Sequence, residues 1–370
     1  MKIVGTGYIN TPEFTDPDAW LDRISFYTGI LEQLSKQHTV ESIEQINYSG
    51  KVERNKVLYH FLNFKKSNRY FPWKLNRYIR KINPDVMIVN GLIFPLQLIQ
   101  LRWMLGKKVR IIVAHHAEKP GSGKLRFLQR IADRYINVYL FVSHEMGDEW
   151  IKQGIIADRG KIYEVMEGSS SFNVISKPQA MEITKVKGNP VFLWVGRLND
   201  NKDPVTVVKA FLQLITQQPT AVLYMIYQTE DLLPKIKELI ESKNSASEAI
   251  KLVGRIPHQQ LEAWYNSADF IISGSHYEGS GIAICEAMSC GCIPVLTNIK
   301  SFRKMTGPGK CGLLYEPGND KELLSALLQT SGMDVEKERE KVLRQFNEEL
   351  SFTAIAGKIN QVITSLVKEK

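Results

Sequence analysis

The chain has 370 residues, 44% of them apolar and 24% charged. That fits a globular protein of two domains and excludes disordered, fibrous and disulfide-scaffold classes. The net charge of +9 invites a polyanion or an anionic membrane surface.

No apolar leader follows Met1, and the apolar runs read as shorter than the ~20 residues of a spanning helix, so a cytoplasmic protein is expected. Cys285, Cys290, Cys292 and Cys311 all lie in the second half. They read as reduced core thiols, because Cys290-Gly-Cys292 lacks a second ligand pair; no metal is expected.

A first strand runs from residue 2 towards Gly7. Gly5-Thr6-Gly7 is not a dinucleotide fingerprint, since Asn10 stands at its third glycine. Trp20, Leu21, Ile24, Tyr27, Ile30, Leu31 and Leu34 recur at helical spacing from about residue 18. A second strand is predicted over 39–46.

Residues 51–82 are basic, with Lys51, Arg54, Lys56, Lys65, Lys66, Arg69, Lys74, Arg77, Arg80 and Lys81 against Glu53 alone. Tyr59, Phe61, Phe64, Tyr70, Phe71, Trp73 and Tyr78 are interleaved. Such a segment suits an anionic membrane or a lipid phosphate. A solvated face over a core contact is the alternative, and no nucleic-acid motif accompanies it.

Strands are predicted over 85–89, 110–114 and 139–142, with helices over 94–105, 122–136 and 145–153. This alternation indicates a doubly wound parallel sheet whose site lies past the strand ends. There sit His115, His116 and Ser143. The Ser-rich stretch 168–186 reads as a linker between an N-terminal domain, 1–175, and a second domain, 186–349.

The alternation restarts with strands over 191–195, 221–226 and 250–253 and helices over 205–215, 231–242 and 259–266. Arg197 and Lys202 share the loop that follows Gly196, a pairing that suits a diphosphate. Residues 271–297 then read strand, glycine loop, helix, strand. Glu278-Gly279-Ser280-Gly281 leads into Ile282 and Ala283, with Gly291 ending the helix. Backbone amides at such a helix start suit an anion, while Glu278 and Glu286 suit sugar or ribose hydroxyls. A plain tight turn with solvated glutamates is the alternative. An edge strand over 312–315, helices over 320–328 and 334–347, and a tail helix over 352–368 complete the chain.

The motifs Gly196-Arg197-Leu198 to Lys202, Gly254-x-Ile256-Pro257 to Ala268-Asp269, and Glu278 with Glu286 in EGSGIAICEAMSCGCIPV resemble the donor domain of retaining glycosyltransferases of family 4. The resemblance covers 190–320 well and the first half weakly. It implies a GT-B fold: two Rossmann-like α/β domains with doubly wound parallel sheets facing across a cleft. The tail, 350–370, would return to the first domain.

By the resemblance, the catalytic set would be Arg197, Lys202, Glu278 and His116. Gly196, Arg255, Ile256, Ser280, Gly281, Ile282, Ala283 and Glu286 would bind the donor. Gly7, His115 and Ser143 would lie on the acceptor side. The co-substrate would be a UDP- or GDP-sugar, with no cofactor and no metal. The acceptor would be a saccharide or lipid-linked saccharide, as in cell-surface polysaccharide synthesis on the inner face of a membrane. Departures from the family pattern are Gly5-Thr6-Gly7-Tyr8, Tyr227-Gln228-Thr229, Glu167-Gly168, and Ser280 where an aromatic is usual. The alternatives are a sugar-nucleotide epimerase, a glycosyl phosphorylase, or a non-catalytic sugar-nucleotide-binding partner.

Overall fold

The computed structural model describes residues 1–64, 71–243 and 246–368. They form two compact units, Met1–Ser169 with the tail from Phe352, and Ser170–Ser351.

The N-terminal unit holds β1 (Lys2–Gly7), β2 (Thr39–Glu44), β3 (Gly50–Arg54), β4 (Val57–Phe61), β5 (Val86–Asn90), β6 (Arg110–Ala114), β7 (Val138–Phe141) and β8 (Ile162–Glu164). They form one sheet in the order β3-β4-β2-β1-β5-β6-β7-β8. All pairs are parallel except β3 with β4. The central strand β5 is apolar and buried from Val86 through Met87 and Ile88 to Val89, as a strand covered on both faces must be. The helices Trp73–Ile82, Pro95–Leu105 and Gly123–Asp133 pack side by side.

The single helix expected from residue 18 is two, Pro17–Arg23 and Ser25–Leu34, broken at Ile24. Asp16 starts the first by accepting from the Asp18 amide, with Pro17 in the first turn. The tail helix Phe352–Lys368 lies on Ser25–Leu34. Gly29 makes the close approach possible, since a Cβ there would sit 2.6 Å from the Phe352 ring.

The stretch Val335–Val367 is long and apolar enough to cross a membrane, contrary to the sequence expectation. It is not one uninterrupted α-helix: Ser351 is extended, and Ile355, Ile359, Val362 and Ile363 are buried in the protein.

The C-terminal unit holds β9 (Val191–Gly196), β10 (Val222–Tyr227), β11 (Ile250–Gly254), β12 (Phe270–Ser273), β13 (Ile293–Thr297) and β14 (Leu313–Tyr315). Its sheet is wholly parallel, in the order β11-β10-β9-β12-β13-β14. The stretch read as a linker, 168–186, contains the helix Lys177–Thr184, which packs on Leu261–Ser267. All four cysteines are buried, and burial raises the thiols of Cys290 and Cys311 to about 12.

The basic segment 51–82 is a hairpin followed by a helix rather than one continuous surface. Tyr59 and Phe61 point into the core because alternate residues of β4 face inward. The Tyr78 hydroxyl pairs with His60 Nδ1 at 2.8 Å. Lys65, Lys66, Arg69 and Tyr70 lie outside the described residues. Phe71 and Trp73, 69% and 63% exposed, stay on the surface beside exposed Lys74, Arg77, Arg80 and Lys81, while Lys51 and Lys56 are exposed on the hairpin.

Candidate functional site

In a doubly wound sheet, ligands bind beyond the strand ends where the strand order reverses. In the C-terminal unit that point lies between β9 and β12. The loops after these two strands carry Arg197, Lys202 and Glu278. Sequence reasoning puts Arg197 and Lys202 on one loop and Glu278 on another; the topology makes the two loops neighbours.

Backbone and side chains bind the two loops together. The His276 amide donates to Asn201 O at 2.8 Å, and Asn201 Nδ2 donates to Tyr277 O at 3.0 Å. His276 Nε2 meets Asp203 at 3.2 Å. Gly274 permits the approach, because a Cβ there would lie 2.7 Å from Asp203 O and 3.1 Å from Lys202 O. Lys202 Nζ forms an ion pair with the Glu278 carboxylate. Asp203 accepts from the Thr206 amide and hydroxyl and so starts the helix Pro204–Leu214. Arg197 is exposed, and its guanidinium makes no hydrogen bond or ion pair among the described residues. One cation is thus held in place by an acid and the other stands open.

The glycine loop runs into the helix Ile282–Ser289 through Gly281, whose φ is +57°. A Cβ at Gly281 would also lie 2.7 Å from the Phe302 ring, so backbone conformation and packing both demand glycine. Ile282 and Ala283 are half-buried in the first turn, where amides have no partner inside the helix. Ser280 is buried.

Glu286 is buried one turn further on and is fixed at both oxygens. Oε2 accepts from the Tyr265 hydroxyl at 3.0 Å, and Oε1 meets His258 Nε2 at 2.6 Å. Burial and the Glu286 charge push the Tyr265 hydroxyl well above its ordinary range, so it stays a donor. His258 lies on the loop after β11, two residues beyond Ile256; Arg255 is exposed there and Ile256 is half-buried. The His258 ring faces Phe172, with centroids 5.2 Å apart. His258 escaped the sequence reading; its place just after Ile256-Pro257 was the available signal. Gly196 ends β9, packed against the Trp194 ring.

The N-terminal unit separates the residues predicted at its strand ends. His115 turns into the core, stacked on Phe141 at 4.7 Å, with Nε2 bonded to Glu118 O at 2.8 Å. Burial lowers its basicity below the ordinary histidine value. Ser143 is buried and caps the helix His144–Lys152, accepting from the Met146 amide at 3.4 Å. His116 and Gly7 instead line an open hollow.

His116 Nδ1 pairs with Glu167 at 2.8 Å. Burial disfavours its charge, but that bond and the charges of Glu167 and Glu118 outweigh burial and raise its pKa. Its Nε2 has no partner. Glu118 braces the site by accepting from the His116 amide at 2.6 Å and the Leu92 amide at 3.0 Å. Among the described residues no three His, Cys, Asp or Glu side chains are grouped as metal ligands would be.

Residues 176–345 match the family model for glycosyl transferases group 1. O-antigen chain mannosyltransferase B of Escherichia coli is 36% identical over 85 residues, 23% of this chain and 22% of that one. The GDP-mannose:cellobiosyl-diphosphopolyprenol alpha-mannosyltransferase of Xanthomonas campestris is 28% identical over 122 residues, 33% of this chain and 32% of that one. The matches thus span about a fifth to a third of these relatives' own length. Among solved structures, Anabaena HepE in complex with UDP and glucose superposes with a TM-score of 0.71 at 14% identity, covering 99% of this chain and 100% of that one. The chain therefore has the GT-B fold, and its residues 176–345 are similar to the glycosyl transferases group 1 family.

Proposed function

We propose that the protein is a retaining, metal-independent glycosyltransferase of family 4. It moves a sugar from a UDP- or GDP-sugar to a saccharide or lipid-linked saccharide in cell-surface polysaccharide synthesis. The observation that carries this reading is the convergence of the Arg197–Lys202 loop and the Glu278–Glu286 stretch at the C-terminal switch point.

In this reading Arg197 and Lys202 hold the donor diphosphate, and the amides of Ile282 and Ala283 face the same charge. Glu286, oriented by Tyr265 and His258, accepts from the ribose hydroxyls. Glu278 accepts from the transferred sugar once the diphosphate draws Lys202 towards itself. The bond from the anomeric carbon to the phosphate oxygen breaks, and a bond to the acceptor oxygen forms on the same face. The acceptor proton passes to the departing diphosphate, so no protein nucleophile is needed. His116, with a free Nε2, hydrogen-bonds a sugar hydroxyl.

The test is to supply UDP- and GDP-sugars with saccharide acceptors, follow nucleoside diphosphate release, and read the product's anomeric configuration by NMR. Release of sugar phosphate, or an inverted product, would overturn the reading.

We also propose peripheral docking to the inner face of an anionic membrane. Exposed Phe71 and Trp73 beside Lys74, Arg77, Arg80 and Lys81 support this, as apolar anchors next to cations suit an anionic interface. Cosedimentation with phosphatidylglycerol vesicles at low salt should fall in Phe71→Ser/Trp73→Ser. Absent binding at low salt would dismiss the proposal.

A further inference from the structure

The N-terminal sheet has its own switch point, between β1 and β5. A hollow of about 310 Å³, open to solvent, lies past these strand ends and is lined by Gly7, Asn90 and Gly91 from their loops. Its size falls at the lower end of small-molecule sites, which start at roughly 300 Å³. Much of the wall is flat and apolar: Trp20, Phe26 and Tyr27 are half-exposed there, and Ile9 is exposed. Half-exposed rings in a concave wall offer faces for the apolar side of a sugar ring.

The polar groups are few and fixed. Glu44 Oε1 accepts from Ser42 Oγ at 2.7 Å, and Oε2 accepts from Trp20 Nε1 at 3.0 Å. The same bond orients the Trp20 ring, which also meets Phe14 edge-on at 5.0 Å. Each carboxylate oxygen keeps a further lone pair for a ligand hydroxyl. Gln45 is tied to Gly7 O at 2.8 Å. His116 adds its unpartnered Nε2.

Charge narrows the ligand class. The wall carries two acidic side chains, Glu44 and Glu118, and among its described residues no lysine or arginine; its histidine, His116, is already paired with Glu167. A phosphate or uronate would meet Glu118 and the Glu44 carboxyl, whose charge burial already disfavours, with no uncommitted cation to offset them. A polyprenyl chain would cover the remaining lone pairs of Glu44 and leave His116 Nε2 without a partner.

We infer that this hollow binds an uncharged sugar ring of the acceptor, stacked on Trp20 and hydrogen-bonded by Glu44. The role as acceptor site rests on the glycosyltransferase reading; the saccharide chemistry rests on the hollow alone. Trp20 and Glu44 are then specificity-determining residues, selecting neutral pyranosides over acidic ones.

Saturation-transfer NMR on the full chain tests this with methyl α-mannopyranoside, methyl α-glucopyranoside, methyl glucuronide and geranyl phosphate. A neutral pyranoside should receive saturation through its ring protons, and methyl glucuronide should not. Trp20→Leu and Glu44→Ala should each weaken binding about tenfold, the scale of one lost hydrogen bond or stacking contact. A thermal shift on adding nucleoside diphosphate, unchanged in both variants, checks that they are folded. No neutral pyranoside binding, equal binding in both variants, or preferential binding of geranyl phosphate would each overturn the inference. Pyranoside binding lost in the variants of a protein that transfers no sugar would keep the inference and remove the enzymatic reading. Sugar transfer that both substitutions leave unchanged would do the reverse.

Discussion

Replacing Lys202 by alanine separates holding the site together from stabilising the leaving group. Lys202 and Glu278 have side chains only 26% and 14% exposed. Breaking a fully buried pair costs about 3–5 kcal/mol and an exposed one about 0–1, so this intermediate pair should cost about 1–3. For a unit the size of Ser170–Ser351 that is a fall in Tm of roughly 2–12 °C. Most of the loss comes from leaving Glu278 without its cation, so Lys202→Ala/Glu278→Ala should regain most of the stability. Turnover should behave differently. A cation on the departing diphosphate is worth about 2.7–4 kcal/mol in the transition state, or a rate loss of roughly 10²–10³. The double variant removes the stranded acid but supplies no new cation, so turnover stays low. Calorimetry paired with a nucleoside diphosphate release assay reads both quantities. Turnover in Lys202→Ala within about threefold of wild type, or recovery in the double variant, would refute the assigned role.

Two further outcomes follow from single residues. Gly281→Ala places a side chain at φ +57° and 2.7 Å from the Phe302 ring; it should cost about 2–4 kcal/mol and weaken nucleotide binding. A Tm within about 1 °C of wild type would contradict the packing account. His116 has a folded pKa above its ordinary value of 6.5, because the Glu167 bond and nearby acids outweigh burial. Its stabilisation is therefore complete below that value and is lost as pH rises through the folded pKa. The Tm gap between wild type and His116→Gln should be widest in mildly acidic buffer and narrow as pH rises. A gap independent of pH would remove the His116–Glu167 charge pair from the account. Comparing the two proteins matters because His115 is shifted the opposite way.

The sequence shows most where physics is local. The strand β6 and the tail helix Phe352–Lys368 fall on their predicted bounds, since a buried apolar run and a helical period each declare themselves. Gly291, at φ +76°, ends its helix as read. The hairpin of β3 and β4 was hidden because its charges were counted along the chain, while β structure alternates them. The Asn55 and Lys56 turn, with φ of 53° and 66°, lacks the glycine that marks such turns. The helix Lys177–Thr184 was masked by the Ser-rich composition around it. The site was half legible. Loop chemistry identified Arg197, Lys202, Glu278 and Glu286, but not that Lys202 would rest on Glu278, 76 residues away, or Glu286 on His258. Nor could spacing show that His115 faces the core while His116 faces the hollow. Those partners are set by strand order, which sequence spacing does not encode.

The central claim is that the β9/β12 switch point of the C-terminal unit is a nucleotide-sugar site. Thermal unfolding with UDP, GDP and ADP, in wild type, Arg197→Ala and Glu286→Ala, tests it most directly. A bound nucleotide at 100 times its Kd adds about 2.7 kcal/mol of stability. UDP or GDP should raise the wild-type Tm, and each substitution should shrink that rise at equal concentration. No rise with any of the three nucleotides, or a rise untouched by both substitutions, would contradict the claim.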